Sequence, residues 1–457
     1  MSPGSADSTR RDQHDNSRPL LDVAQEAHDL ARKLGADEVS CSVSRSTEVS
    51  LQRRAGKLEQ AQRATSLGLS VSLLVGDRFS SHATSDLRPT ALRAFLERAV
   101  DATRALEPEI ERRQADPALC GRGTPDEVLD QLDPTWSQLD ARTRGLLAEE
   151  LEAAVDALPN RHRLISATVG LGDSSSESVR VMTNGFVGEH RGTGFGMSVE
   201  MTLEEPGGRR PESYSYYGAN HRSDIPAPKF LAEEAWSRGE KRLGSGPIAS
   251  GRYPMLLENH AAGRILGVLG GPLSGSEIHQ GRSCLAGKKG ERIGNDKFTL
   301  LDDPTIPRGL GSRPWDGDAM RAKPMPVVTA GILQNYYLSL YYGRKLSMDP
   351  TTGGRSNWVV PAGTRSVNQI LADLPACIVV TGFLGGNGNG LTGDFSYGVQ
   401  GVLFENGEAK ANLSEMNISG NVLEIFHQFA EAADDTYVYS SVRSPSLVFD
   451  GVQFSGV

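Results

Sequence analysis

Between residues 21 and 34, apolar side chains recur at helical spacing. Leu21, Ala24, Ala27, Leu30, Ala31 and Leu34 share one face, and Gly35 follows as a stop. The period then falls to two. Val39, Cys41 and Val43 alternate with polar residues, as do Val49 and Leu51, and Leu67, Leu69, Val71, Leu73 and Val75 give a third strand. Pro89 opens a second helix with a stripe of Leu92, Phe95, Leu96, Ala99 and Val100. The pattern predicts helix, antiparallel meander and helix, a small unit whose helices cover one sheet face.

Residues 107–137 carry Pro108, Pro117, Pro125 and Pro134 and read as a connecting segment. A long helix from Asp140 to Ala157 follows. Residues 178–182 and 186–189 flank Asn184-Gly185, a two-residue hairpin signal. Phe195, Met197, Val199 and Met201 alternate along another strand, and a helix is predicted over Pro226–Leu243. The stretch from Leu243 to Gly251 is the expected boundary between halves. Beyond it come short strands such as 255–257 and 377–384, with helical patterns only at 261–269 and 421–432. The expected fold class is α+β: an N-terminal α/β sheet-and-helix domain followed by a Gly-rich, mainly β C-terminal domain. Residues 1–19 read as a disordered tail, 20–108 as the N-terminal module, 109–243 as a central helix with antiparallel strands, and 244–457 as the β-rich domain.

A chain of 457 residues exceeds what one hydrophobic core serves, so several domains are expected. Lys and Arg number 48 against 57 Asp and Glu, and the net charge of −9 argues against a nucleic-acid surface. The four cysteines are far apart and form no C-x-x-C pair. Cys41 and Cys377 lie in apolar strand patterns and read as small buried hydrophobes. Arg10-Arg11 is followed by Asp and His, where a secretion signal needs an apolar stretch. No run approaches the roughly 18 apolar residues of a membrane span. A cytoplasmic protein with no membrane partner is expected.

Zinc hydrolysis needs fixed nitrogen or carboxylate ligands and an adjacent acid, which a helix supplies from two histidines on one face. None of the nine histidines forms such a pair. Glu258 with His260 is the nearest acid–His couple, and His260, His279 and Cys284 are the nearest thing to a ligand set. Gly388 to Gly393 matches G-x-G-x-x-G, but it runs into a strand pattern instead of opening a helix. It therefore reads as a glycine loop rather than a dinucleotide site. Tyr336, Tyr337, Tyr341 and Tyr342 form a local aromatic group suited either to an interface or to a core.

Three stretches carry a family resemblance. Residues 35–60 (GADEVSCSVSRSTEVSLQRRAGKLEQ) with 67–87 make one. Residues 391–410 (LTGDFSYGVQGVLFENGEAK) with 413–426 make the second. The third is 253–285 (YPMLLENHAAGRILGVLGGPLSGSEIHQGRSCL). Together they resemble the TldD/PmbA family of two-subunit metallopeptidases over nearly the whole folded chain. In that family's catalytic subunit the helix of the third stretch carries His-Glu-x-x-x-His. Here Gly267-Val268 and Pro272 occupy those positions, and none can ligate a metal. The resemblance therefore implies the PmbA/TldE type of subunit, with no catalytic or metal residues of its own. It would pair with a TldD-like, zinc-bearing partner to degrade or process unfolded or modified peptides. It also implies an internal cavity, where Gly386, Gly388 and Gly390 would let backbone approach a peptide, and an interface for which the four tyrosines are candidates. Residues 340–358 (LYYGRKLSMDPTTGGRSNW) follow the family pattern only loosely. A self-sufficient hydrolase around His260, Glu258 and Cys284, or a structural homodimer, are the alternative readings.

Overall fold

The computed structural model describes residues 18–121 and 126–456; most of the expected N-terminal tail, residues 1–17, lies outside them. Two compact units are interleaved along the chain. One takes the described residues of 1–47 with 65–117 and 176–190; the other takes 48–64 with those of 118–175 and 191–457.

In the first unit, helix Leu20–Lys33 buries Leu20, Val23, Ala24, Ala27 and Ala31, and helix Pro89–Arg104 buries Leu92, Leu96, Ala99 and Val100. These stripes pack against Val39, Cys41, Val43, Leu69, Val71 and Leu73 on the sheet, all at 1% exposure or less. Each fully buried Val or Leu of this set contributes about 1.5–3 kcal/mol through burial. Gly35 ends the first helix with φ 102°, and Gly185 turns the hairpin with φ 89°, both as the sequence predicts. The strands are longer than their apolar patterns. Glu38–Arg54 and Lys57–Val75 join at Ala55-Gly56, both of positive φ. Residues 57–66 are exposed on both faces, so they carry no alternation to read.

The second unit holds helix Ala141–Asp156, whose N-cap Asp140 accepts a hydrogen bond from the Thr143 amide at 2.7 Å. This helix and Pro228–Glu240 pack Leu151, Val155, Leu231 and Trp236 against Val199 and Met201. Their strand pairs with Glu212–Ala219 in antiparallel register from Phe195 opposite Ala219 to Thr202 opposite Glu212. The C-terminal part closes on itself. Strand Gly251–Leu257 runs parallel to Ala376–Gly388 and antiparallel to Leu447–Ser455. Ala376–Gly388 continues through Asp394–Glu405 to Glu408–Asn421, and Ile418 pairs back with Phe454, closing a five-stranded barrel. Met255, Ile378, Val380, Ile418, Phe449 and Phe454 fill its core. A parallel neighbour needs a long crossover, and the chain from 258 to 375 supplies it. That crossover carries much of a second sheet, with strands Leu300–Asp302, Met325–Thr329 and Trp358–Val359.

The protein is α+β. Two helical expectations need correction. The 421–432 pattern is helical only over Val422–Ile425; Phe429–Ala432 is a strand, because Phe429 packs edge-on against Phe298 and Phe449. The 261–269 pattern is one short helix, Ala262–Leu266, tightening into a 3₁₀ turn over Gly267–Leu269. Cys41 and Cys377 are buried thiols, as expected. Among the described residues no helix is long and apolar enough to cross a membrane.

Candidate functional site

Helix Ala262–Leu266 turns Ala262, Ile265, Leu266 and, one turn on, Leu269 into the core, each fully buried. Its other face, with Gly263, Arg264 and Gly267, borders a cavity of about 550 Å³ whose lining also includes Arg355, Trp358 and Tyr397. The Arg264 guanidinium lies 4.5 Å from the Tyr397 ring centroid and donates to the carbonyls of Gly385 and Gly386 at 3.3 and 3.4 Å. Arg355 lies 5.1 Å from the Trp358 ring centroid. Neither arginine has a carboxylate partner among the described residues.

A buried network fixes the Trp358 side of the cavity. The Trp358 indole N–H donates to the Tyr337 hydroxyl, which donates to Asp302 Oδ2 at 2.7 Å. Asp302, 1% exposed, also accepts from the Ser356 amide at 2.8 Å and from the Ser356 hydroxyl. Burial, and then the Asp302 charge, push the Tyr337 phenol far above its usual range, so it stays a neutral donor. The network thereby holds Trp358 against the segment that presents Arg355.

At the positions the resemblance assigns to the metal motif, Gly267 is exposed on the cavity wall and Val268 packs partly into the core. Pro272 is buried, its carbonyl accepting from the Ser283 hydroxyl at 2.6 Å. Nor are ligands gathered elsewhere. His260 points its Nε2 at the Thr381 carbonyl at 2.9 Å, and burial, with the Arg238 charge, lowers its pKa. Glu258 pairs with Lys241 at 2.9 Å, its other oxygen 3.6 Å from His260 Nδ1. The His279 ring packs 6.1 Å from Tyr342. Cys284 is half-buried, which raises its thiol pKa. The alternative set of His260, His279 and Cys284 is not brought together: among the described residues no three His, Cys, Asp or Glu side chains form a metal-binding group. The donor set does not fit a zinc ion.

The glycine run is not the loop the sequence suggested. Residues 385–388 end strand Ala376–Gly388, with a register break between Leu384 and Asn387, and the turn itself is Asn389–Gly393. Gly386 has φ 102°, and a Cβ there would lie 2.3 Å from the Ser396 carbonyl, so its own strand pairing demands glycine. Gly388 lacks positive φ and has 3.3 Å to the Tyr397 hydroxyl; Gly390 has 3.8 Å to its nearest neighbour, the Arg282 carbonyl. Of the four tyrosines, Tyr336 and Tyr337 are 2% and 5% exposed and belong to the core, which corrects their reading as interface candidates. Tyr336 donates to the Leu285 carbonyl at 2.6 Å. Tyr341 and Tyr342 are half-buried on helix Leu340–Leu346, their rings edge to face at 4.9 Å.

Arg264, Arg355, Trp358 and Tyr397 escape a reading by motif. The available signals were an arginine among glycines and alanines in 261–267, and the departure from the family pattern in 340–358.

Models of the PmbA/TldA metallopeptidase domain 1, central domain and C-terminal domain match residues 38–103, 129–243 and 250–456. The metalloprotease PmbA of Escherichia coli O157:H7 is 26% identical over 441 residues, covering 95% of this chain and 96% of its own. A solved structure from Bacteroides thetaiotaomicron, described as a candidate modulator of DNA gyrase, is 33% identical with a TM-score of 0.91, covering 96% of this chain and 99% of its own. The structure of TldE from Thermococcus kodakarensis has a TM-score of 0.82 at 18% identity, covering 95% of this chain and all of its own (100%), a likeness of fold alone.

Proposed function

Because this chain belongs to the PmbA/TldA metallopeptidase family, we propose that it is the zinc-free subunit of a two-chain peptidase acting on unfolded or modified peptides. The observation that carries this reading is chemical. Where the family's catalytic subunit has two histidines and a glutamate, this chain has Gly267, Val268 and Pro272, and Gly267 lines a cavity walled by arginines and aromatic rings. A hydrolytic zinc site needs about three protein ligands and a base for its water, and these side chains supply neither. The TldD-like partner would hold the zinc and its water. This chain would supply cavity wall and backbone contacts, with substrate contact falling to Gly388 and Gly390, whose glycines the fold does not itself require. Tyr341 and Tyr342 are the proposed contributors to the partner interface.

Elemental analysis of the purified chain tests this. Well under one zinc per chain after dialysis is expected. About one zinc per chain, lost in His260→Ala together with a chelator-sensitive peptidase activity, would overturn the reading in favour of a self-sufficient hydrolase.

A further inference from the structure

We propose that the cavity beside Gly267 is a carboxylate-binding site, which holds either the terminal carboxylate of a peptide or an Asp or Glu side chain. Two arginines point to it. The chain has nine more acidic than basic side chains, yet Arg264 and Arg355 meet at one cavity with no carboxylate on either guanidinium and no Asp or Glu in the lining. Each guanidinium stacks on a ring face, at 4.5 Å over Tyr397 and 5.1 Å over Trp358. A guanidinium over a ring keeps N–H donors in its own plane for a carboxylate's two oxygens. Arg264 is oriented further by the carbonyls of Gly385 and Gly386. Arg355 has no side-chain hydrogen bond among the described residues.

The walls leave room for the ligand. A Cβ at Gly267 or Gly354 would meet nothing within 4 Å, and neither residue has positive φ. The fold therefore does not explain glycine at these two points, whereas a ligand passing close to backbone does. At about 550 Å³ the cavity suits a few residues of peptide rather than a folded partner. Behind the Trp358 side, Asp302 is buried and its oxygens accept from Tyr337 and Ser356.

The assignment borrows its peptide from the subunit reading, but its test needs neither partner nor cleavage, so either can fail alone. Isothermal titration of the full chain would compare three probes: the N-acetylated tetrapeptide Ala-Ala-Ala-Leu as free acid, the same peptide as C-terminal amide, and the amide with Glu at its second position. We expect the free acid, the Glu peptide, or both to bind at least about tenfold tighter than the neutral amide. Whichever binds identifies the source of the carboxylate. Arg355→Met and Arg264→Met should each weaken that probe at least about tenfold, with unchanged thermal melts. If one variant unfolds, the acid-against-amide comparison on the native chain still decides. Equal affinity for all three probes, no measurable binding of any, or native affinity in both folded variants would overturn the proposal.

Discussion

Gly386 and Gly388 lie two positions apart in one strand, and the backbone treats them differently. At Gly386, positive φ and a Ser396 carbonyl 2.3 Å from any Cβ make alanine a clash as well as a strain. Gly386→Ala should therefore cost at least about 1–3 kcal/mol and visibly lower the thermal midpoint. Gly388→Ala meets only the Tyr397 hydroxyl at 3.3 Å, and its melt should stay close to that of the native chain. Similar melts for both would contradict the bulge geometry. His260 makes a second prediction at this scale. Burial and the Arg238 charge hold its pKa below the usual value, against the opposing pull of Glu258 and the Thr381 carbonyl. The unfolded imidazole takes a proton near about pH 6.5 and the folded one resists, so unfolding gains a proton as pH falls. The stability His260 contributes is present above that pH and lost on descending through it toward the folded pKa. His260→Gln, which keeps an N–H for Thr381, should lose less stability than the native chain between about pH 7.5 and about pH 5.5 in denaturant titrations. A parallel loss in both would contradict a buried neutral imidazole. None of these demands was legible in sequence. The glycine run could be seen, but which glycine its strand required depended on Ser396 and Tyr397 across the sheet.

Helices with clean apolar stripes and turns with Asn-Gly were legible as elements, because local period and backbone preference decide both. Leu20–Lys33, Ala141–Asp156 and the Gly185 turn lie where the pattern puts them. The pattern failed where a strand was wholly exposed, as at 57–66. It failed again where distant contacts overrode a helical period, as at Phe429, caught between Phe298 and Phe449. The tyrosine group shows both outcomes. Its spacing fitted core or interface equally, and only the fold, by bringing Asp302 and Trp358 to Tyr337, decided for core at two of the four positions. Removing that hydroxyl leaves the Trp358 indole N–H without its acceptor and Asp302 without one donor. Tyr337→Phe should therefore destabilise the chain by about 1–3 kcal/mol. It should also weaken the tetrapeptide probe through Trp358, on which Arg355 rests. Chemical denaturation with unchanged stability would show that the network does not hold this wall.

At the scale of the whole molecule, family and fold class were legible because long stretches at both ends of the chain carry the family pattern. Closure of the barrel was not, since it joins strands distant in sequence whose register only the assembled core selects. The cavity fell between these limits. Its helix lies in a stretch that carries the family pattern, while its Arg355 wall lies in the stretch that follows the pattern only loosely. In the proposed assembly, this chain completes a peptidase without holding its metal. Reconstitution with a TldD-like subunit from the same source tests it most directly, reading complex formation, zinc content and peptide cleavage on one set of samples. A stable complex burying more than about 2,000 Å² is expected, with zinc that follows the partner and cleavage by the complex but by neither chain alone. Two species that stay separate at micromolar concentration, with the partner cleaving equally well by itself, would contradict it.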